Sequence, residues 1–289
     1  MFDHILLPVD GSDASQSAQQ YAQILANTTD AEIHALFVLE DGGFVQDVAD
    51  ASGSEQIESK LKETAESTLD TVSAACESGG VSVQTSTRSG HPTDAILGYI
   101  GTNNIDLVVL GAHARGRLSR FLRESIAEQV AQTAPIPVLT VRARKLDSAP
   151  EIRDILVAID GSESARHARS CAFSLATTFD ATVHTLYVIE SRFGSSGTLR
   201  DFLERENESV FQEARIQATQ TGVDLVPVTR EGKPEREITE YANNRRMDLV
   251  VLGTNGRTGL DRLVMGSVAT SVVRRADQPV LTVRGPLKE

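Results

Sequence analysis

Residues 248–253 of the chain read DLVVLG, and residues 106–111 read the same six letters. Four consecutive apolar residues between a carboxylate and a glycine describe a short strand buried on both faces, the kind found in parallel sheets. The duplication extends outward. DHILLPVDGS at 3–12 returns as DILVAIDGS at 154–162, LFVLE at 36–40 as LYVIE at 186–190, and PVLTVR at 137–142 as PVLTVR at 279–284. A chain of 289 residues therefore states one design twice, in halves of roughly 140 residues each. We expect domains at 1–145 and 152–286, joined by the linker LDSAPE at 146–151. Asp10 and Asp160 stand 150 apart whereas Gly111 and Gly253 stand 142 apart, so the first half carries eight extra residues between Glu40 and Val83.

Within each half, short apolar runs alternate with longer helical periods. Ile5 to Val9, Glu32 to Leu39, Val81 to Thr87, Ile105 to Leu110 and Val138 to Val141 read as strands. Ala14 to Asn27, Ile57 to Cys76, His91 to Gly101 and Ser125 to Gln132 read as helices, and Glu204 to Gln220 is the second half's long helix. The Gly-, Asp- and Ser-rich stretch at 41–54 reads as a surface loop. Gly90-His91-Pro92 and Gly232-Lys233-Pro234 are matched turn-and-helix starts. Strand–helix alternation implies right-handed βαβ units. The fold class expected is α/β, with two tandem doubly wound parallel five-stranded sheets carrying helices on both faces, a Rossmann-like arrangement. Its ligands bind beyond the carboxyl ends of the strands, at the topological switch point, which makes Asp160, Val188 and the loop from Gly253 neighbours.

Composition excludes several classes. The formal charge of −12 argues against nucleic-acid binding by phosphate neutralisation. The first 146 residues hold 10 Lys and Arg against 19 Asp and Glu, the remainder 18 against 21, so the second half repels an anion less. Hydrophobic residues make up 40% and aromatics only 4%, so the cores must be built from Val, Leu, Ile and Ala. Cys76 and Cys171 occupy apolar helix faces as small buried hydrophobes in a reducing compartment. With no signal peptide and no run of about 18 apolar residues, a soluble, cytoplasmic protein without membrane association is expected.

The chemistry concentrates after the second DLVVLG. Gly253-x-x-Gly256 leaves a strand, and Gly266-Ser267 opens the next helix. Such a loop offers backbone N–H groups near the positive end of a helix dipole, a natural seat for phosphate where no side chain blocks approach. Gly253 reads as permitting the tight turn, Gly256 as admitting positive φ, and Ser267 as both capping the helix and donating to a phosphate oxygen. Arg257 and Arg262 are charge partners between them. The segment 253–259 reads GxxGxxG rather than the dinucleotide GxGxxG, with no Walker lysine. Ser78-Gly79-Gly80 ends a helix and lacks a preceding strand, so it is no phosphate loop. No Ser/His/Asp order or paired-carboxylate motif is identifiable.

The pattern Gly253-2x-Gly256-9x-Gly266-Ser267, with Asp160 at a strand end, the LYVIE strand and the closing PVLTVR strands, resembles the nucleotide-binding signature of the universal stress protein family. The likeness spans nearly the whole chain, as a tandem member, and implies an adenine-nucleotide alpha-hydrolase-like fold. It also implies ATP, with Mg²⁺ accompanying its phosphates, in the second half. Ala158, Asp160 and Val188 would then hold adenine and ribose, while Gly253, Thr254, Asn255, Gly256, Arg257, Thr258, Gly259, Gly266, Ser267, Val268 and Ala269 would wrap the phosphates. For Asp160 a helix-capping role at Gly161-Ser162 coexists with this one.

The first half keeps Gly111, Asp10, Val38 and Ser125 but has Ala114 and Glu124 where Gly256 and Gly266 stand. A carboxylate facing a triphosphate is opposed by about 4 kcal/mol per charge pair at an effective dielectric near 20. Weak or absent ATP binding is expected there, with Arg115, Arg117, Arg120 and Arg123 forming a solvated basic face. The leading functional expectation is an ATP-binding stress-response or signalling protein with no dedicated catalytic residues and at most weak hydrolysis. The alternatives are a slow Mg²⁺-dependent ATPase or nucleotide-dependent transferase using Asp160 or Asp261, and a non-catalytic interaction scaffold. The resemblance further implies pairing through the last strands, so the two PVLTVR segments make an intrachain pseudo-dimer, with a homodimer as a further option.

Overall fold

A computed structural model of the chain describes residues 1–40, 51–112, 125–144, 149–190, 197–255 and 265–285, with side chains left undescribed at 51–57 and 197–207. The residues fall into two compact units. One comprises Phe2–Val130 with Val141–Ala149, the other Ala131–Thr140 with Pro150–Glu289 and Met1.

In the first unit, β1 (His4–Val9), α1 (Asp13–Thr29), β2 (Glu32–Leu39), α2 (Ala51–Ser78), β3 (Val83–Ser89), α3 (Pro92–Thr102) and β4 (Leu107–Ala112) follow in order, and the next helix, α4 (Ile126–Thr133), has its last three residues in the second unit. Strand β1 is flanked by β2 and β4, and β3 lies outside β2; all these pairings are parallel. The second unit repeats this plan with β6 (Asp154–Ala158), α5 (Glu163–Phe179), β7 (Thr182–Glu190), α6 (Gly197–Thr221), β8 (Leu225–Gly232), α7 (Pro234–Arg245), β9 (Leu249–Gly253), α8 (Ser267–Arg275) and β10 (Val280–Val283). Its parallel order is β8-β7-β6-β9-β10. Helices α5 and α6 pack together, as do α7 and α8, covering the two faces. The expected α/β class with alternating strands and helices is what the chain adopts.

The residues explain these elements. Ile155, Leu156 and Val157 are wholly buried, as a strand covered on both faces requires, and Phe173 of α5, the helix packed on this strand, is wholly buried too. Each such side chain contributes about 1.5–3 kcal/mol on leaving water. The outer strands β3 and β8 are mostly exposed and accordingly polar. Helices α1 and α5 begin at Ser12 and Ser162, whose hydroxyls accept from the N–H of Ser15 and Ala165, and both end on an aspartate in the left-handed region, Asp30 and Asp180. Helices α3 and α7 start on Pro92 and Pro234, as their sequence signals indicate. The glycines before them, Gly90 and Gly232, sit at φ +128° and +156°, conformations other residues avoid. Part of the first half's insertion makes α2 longer than α6, 28 residues against 25.

The two PVLTVR segments do pair. Strand β5 spans Val138–Arg142, and its first three residues belong to the second unit. There they run antiparallel to β10, with Thr140 opposite Val280, Leu139 opposite Leu281 and Val138 opposite Thr282. The contact is reciprocal: Thr140 Oγ1 donates to the Val280 carbonyl at 3.3 Å, and Thr282 Oγ1 to the Val138 carbonyl at 3.2 Å. Equivalent threonines of the repeated segment thus serve each other's strands. Among the described residues no helix is long and apolar enough to cross a membrane.

Candidate functional site

In the second unit β6 lies between β7, reached through α5, and β9, reached after the chain has crossed the sheet. The carboxyl ends of β6 and β9 therefore flank the switch point where a doubly wound sheet opens a crevice. Val157 pairs with Val251, and the same register carries Ala158 level with Leu252 and Asp160 level with Thr254, beside Gly253 and Asn255. The Ile159 N–H bonds the Leu186 carbonyl at 2.9 Å, setting the end of β7, and so Val188, alongside. Ala158, Asp160, Val188, Gly253, Asn255 and Gly266 are each half-buried, above the fully buried Val157 and Leu252.

Three serine and asparagine contacts assemble this edge. The Asp160 carboxylate accepts from the Ser162 N–H at 2.9 Å across Gly161, whose φ is +80°, so Asp160 shapes the turn while Ser162 itself caps α5. Ser162 Oγ donates to the Asn255 carbonyl at 3.2 Å. Ser164 Oγ bonds that same carbonyl and accepts from the Asn255 N–H at 3.3 Å. The loop leaving β9 is thus fastened to the first turn of α5. Its far end is fastened too, because the Gly266 N–H donates to the Thr254 carbonyl at 2.7 Å while the Thr254 N–H bonds Val283 at 3.0 Å.

Two local roles differ from those read in the sequence. Gly253 ends β9, as expected, but what requires a glycine there is contact: a Cβ would lie 2.6 Å from Ser164 Oγ and 2.7 Å from the Ser164 carbonyl carbon. Its absent side chain lets α5 approach the strand. Ser267 does not cap α8. Gly266 is the N-cap, at φ −64° and ψ 155°, and makes no side-chain bond, while Ser267 is the first helical residue and exposed. Val268 and the buried Ala269 complete the first turn. The expected contributions of Gly256, Arg257, Thr258 and Gly259 lie outside the described residues, as do Arg262, Ala114, Glu124 and the arginines at 115, 117, 120 and 123.

Comparison with known proteins follows from this architecture. The model of the universal stress protein family matches twice, over residues 1–142 and 151–284. The chain belongs to the universal stress protein family. A universal stress protein of Methanocaldococcus jannaschii is 36% identical over 144 residues, covering 47% of this chain and 85% of that one. One from Mycobacterium tuberculosis is 29% identical over 196 residues, 63% of each chain. A crystal structure of a universal stress protein from Archaeoglobus fulgidus matches 98% of both chains with a TM-score of 0.72 and 21% identity, a likeness of fold.

The two universal stress domains part company at the helix that follows β4 or β9. In the first, Ser125 precedes α4 and its hydroxyl accepts from the Glu128 N–H at 3.2 Å, a side-chain cap. In the second, the residue matching Ser125 has moved inside the helix and the cap is a glycine. Gly111 repeats the close approach of Gly253, with a Cβ position 2.6 Å from the Ala14 carbonyl carbon. Ser164, which ties down the loop, is matched by Ala14. Ser164 lies outside every motif of the sequence, and its difference from Ala14 is the available signal. Both cysteines are buried free thiols, and burial pushes Cys171 up to about 12.

Proposed function

We propose that the second domain binds an adenine nucleotide, ATP first among them, and that the protein serves stress response or signalling through that ligand rather than through rapid turnover. The observation carrying this reading is the glycine cap of α8. A helix start whose N-cap offers no side chain leaves its first N–H groups to other acceptors, and the helix dipole favours an anion there. The Ser267 hydroxyl, exposed on that first turn, adds a donor. The donor set suits phosphate: the backbone N–H groups of Ser267, Val268 and Ala269 open α8, while the Thr254 and Asn255 N–H groups, bonded to Val283 and to Ser164 Oγ, hold the near side of the crevice in place. Asp160, half-exposed at the end of β6, would accept from a ribose hydroxyl, and Ala158 and Val188 would supply an apolar floor for adenine. Mg²⁺, when bound, would neutralise charge between phosphate oxygens; the chain's own residues position and desolvate the nucleotide. In the first domain the Ser125 hydroxyl already takes one N–H of the matching helix, and Glu124 stands in place of Gly266.

Exchanging that one residue tests the reading. The backbone at Gly266 is ordinary extended chain, which glutamate adopts without strain. Calorimetric titration of the full chain with ATP, ADP and AMP should show saturable binding in the parent and a loss of about a hundredfold or more in Gly266→Glu, given about 4 kcal/mol for an opposed charge pair. Unchanged affinity in a folded Gly266→Glu chain would overturn the assignment. A slow ATPase is separated by turnover assays with Asp160→Ala as control.

A further inference from the structure

At the opposite, amino end of the first unit's sheet, three donor side chains converge. We propose that His4, Glu32 and His34 form a binding site for a transition-metal ion, Zn²⁺ by its donor chemistry. His4 opens β1 directly beside Glu32 of β2, and His34 lies two residues further along β2, on the same face as Glu32. His34 Nε2 is 3.3 Å from His4 Nδ1 and 3.5 Å from Glu32 Oε2, and His4 Nδ1 is 3.8 Å from Glu32 Oε2. A point equidistant from three atoms so spaced lies about 2 Å from each, the distance at which zinc takes imidazole nitrogen and carboxylate oxygen. Two imidazoles and a carboxylate suit zinc and its first-row neighbours, not the oxygen-seeking Mg²⁺ or Ca²⁺.

The surroundings orient two of the donor side chains and anchor the main chain of the third. The other ring nitrogen of His34 meets the Tyr99 hydroxyl at 3.0 Å, which aims Nε2 at the centre of the cluster. Ser82 Oγ donates to the other oxygen of Glu32, Oε1, at 3.4 Å, and the Asp106 carboxylate accepts from the backbone N–H of His4 at 3.1 Å, which fixes the start of β1. The His34 side chain is 6% exposed while those of His4 and Glu32 are 38% and 37% exposed. One ligand is thus anchored in the core and the ion has a path from solvent, where water would complete its coordination.

The duplicate half supplies a control inside the same chain. There His184 Nδ1 meets the Tyr241 hydroxyl at 2.8 Å, and an arginine lies 5.7 Å from the tyrosine ring centre in both halves, Arg88 in one and Arg230 in the other. The scaffold is the same, yet Asp154 replaces His4 and Thr182 replaces Glu32, leaving a two-donor pair with His184 Nε2 3.3 Å from Asp154 Oδ1. Among the described residues this leaves one such site. In the absence of metal, hydrogen bonding between the two histidines and the carboxylate holds the same geometry, so binding must be measured directly.

The untagged, chelator-stripped full chain is titrated with Zn²⁺ by calorimetry, and with Co²⁺ followed by its visible absorption. The expected result is one ion per chain. Affinity should fall in Glu32→Gln and His4→Ala by more than the roughly 10–100-fold that loss of a second-shell partner costs. His184→Ala should leave it intact. Because Glu32 and His4 are part-exposed, melting curves of the apo variants check that they remain folded. No saturable binding, or binding that Glu32→Gln and His4→Ala leave unchanged, overturns the proposal.

Discussion

Gly253 and Gly111 are equivalent glycines in two halves that have otherwise diverged at this edge, and the reason is contact distance rather than conformation. Each has backbone of the first helix of its own half, α1 for Gly111 and α5 for Gly253, within 2.8 Å of where a Cβ would stand. Gly253→Ala should therefore destabilise the protein by about 1–3 kcal/mol through overpacking, read as a lower urea midpoint. Gly98, inside α3 with nothing within 4 Å, is the contrasting case. Gly98→Ala should raise stability by about 0.5–1 kcal/mol through helix propensity. That the glycine matters was legible in the sequence; why it matters was not, because the neighbour it admits is about 90 residues away. The same limit hid Ser164, whose hydroxyl is an ordinary helix residue until the loop from β9 is folded against it.

Among the elements, the strands and the long helices were legible from apolar period and caps, because local physics decides them. The start of α8 was not. A glycine and a serine in succession leave open which of them caps, and the frame moves by one residue between α4 and α8. The consequence is measurable. Ser125→Ala removes a side-chain cap and should cost about 0.5–2 kcal/mol, whereas Ser267→Ala should change the urea midpoint little and weaken nucleotide binding instead. Equal stability losses in both variants would show that the two helices start alike. The pairing of β5 with β10 was inferable only from likeness to a family. Nothing in PVLTVR itself distinguishes an edge that stays open from one that finds its twin.

At the scale of the whole molecule, folding is linked to protons through histidines under the sheets. His184 is held below its ordinary value, first by burial and further by Arg245, with the Asp154 carboxylate pulling the other way; the Tyr241 hydroxyl faces its second nitrogen. The unfolded chain therefore takes up this proton before the folded one does. The stability it contributes is present above the unfolded value near 6.5 and is lost as pH falls through that value toward the folded one. The urea midpoint should drop between pH 7.5 and 5.5, and the drop should be smaller in His184→Gln; an equal drop would assign the dependence elsewhere. Net charge points the same way as the site chemistry, since the half with the glycine cap has the smaller excess of acid, 18 basic against 21 acidic residues. The proposed function requires that, of two copies of one fold, the second alone receive a nucleotide. A crystal structure of the intact chain grown with excess ATP tests this most directly. It should show the triphosphate against the first turn of α8 and the ribose beside Asp160, with the matching edge of the first domain empty. Nucleotide density at the start of α4, or at neither helix, would contradict it.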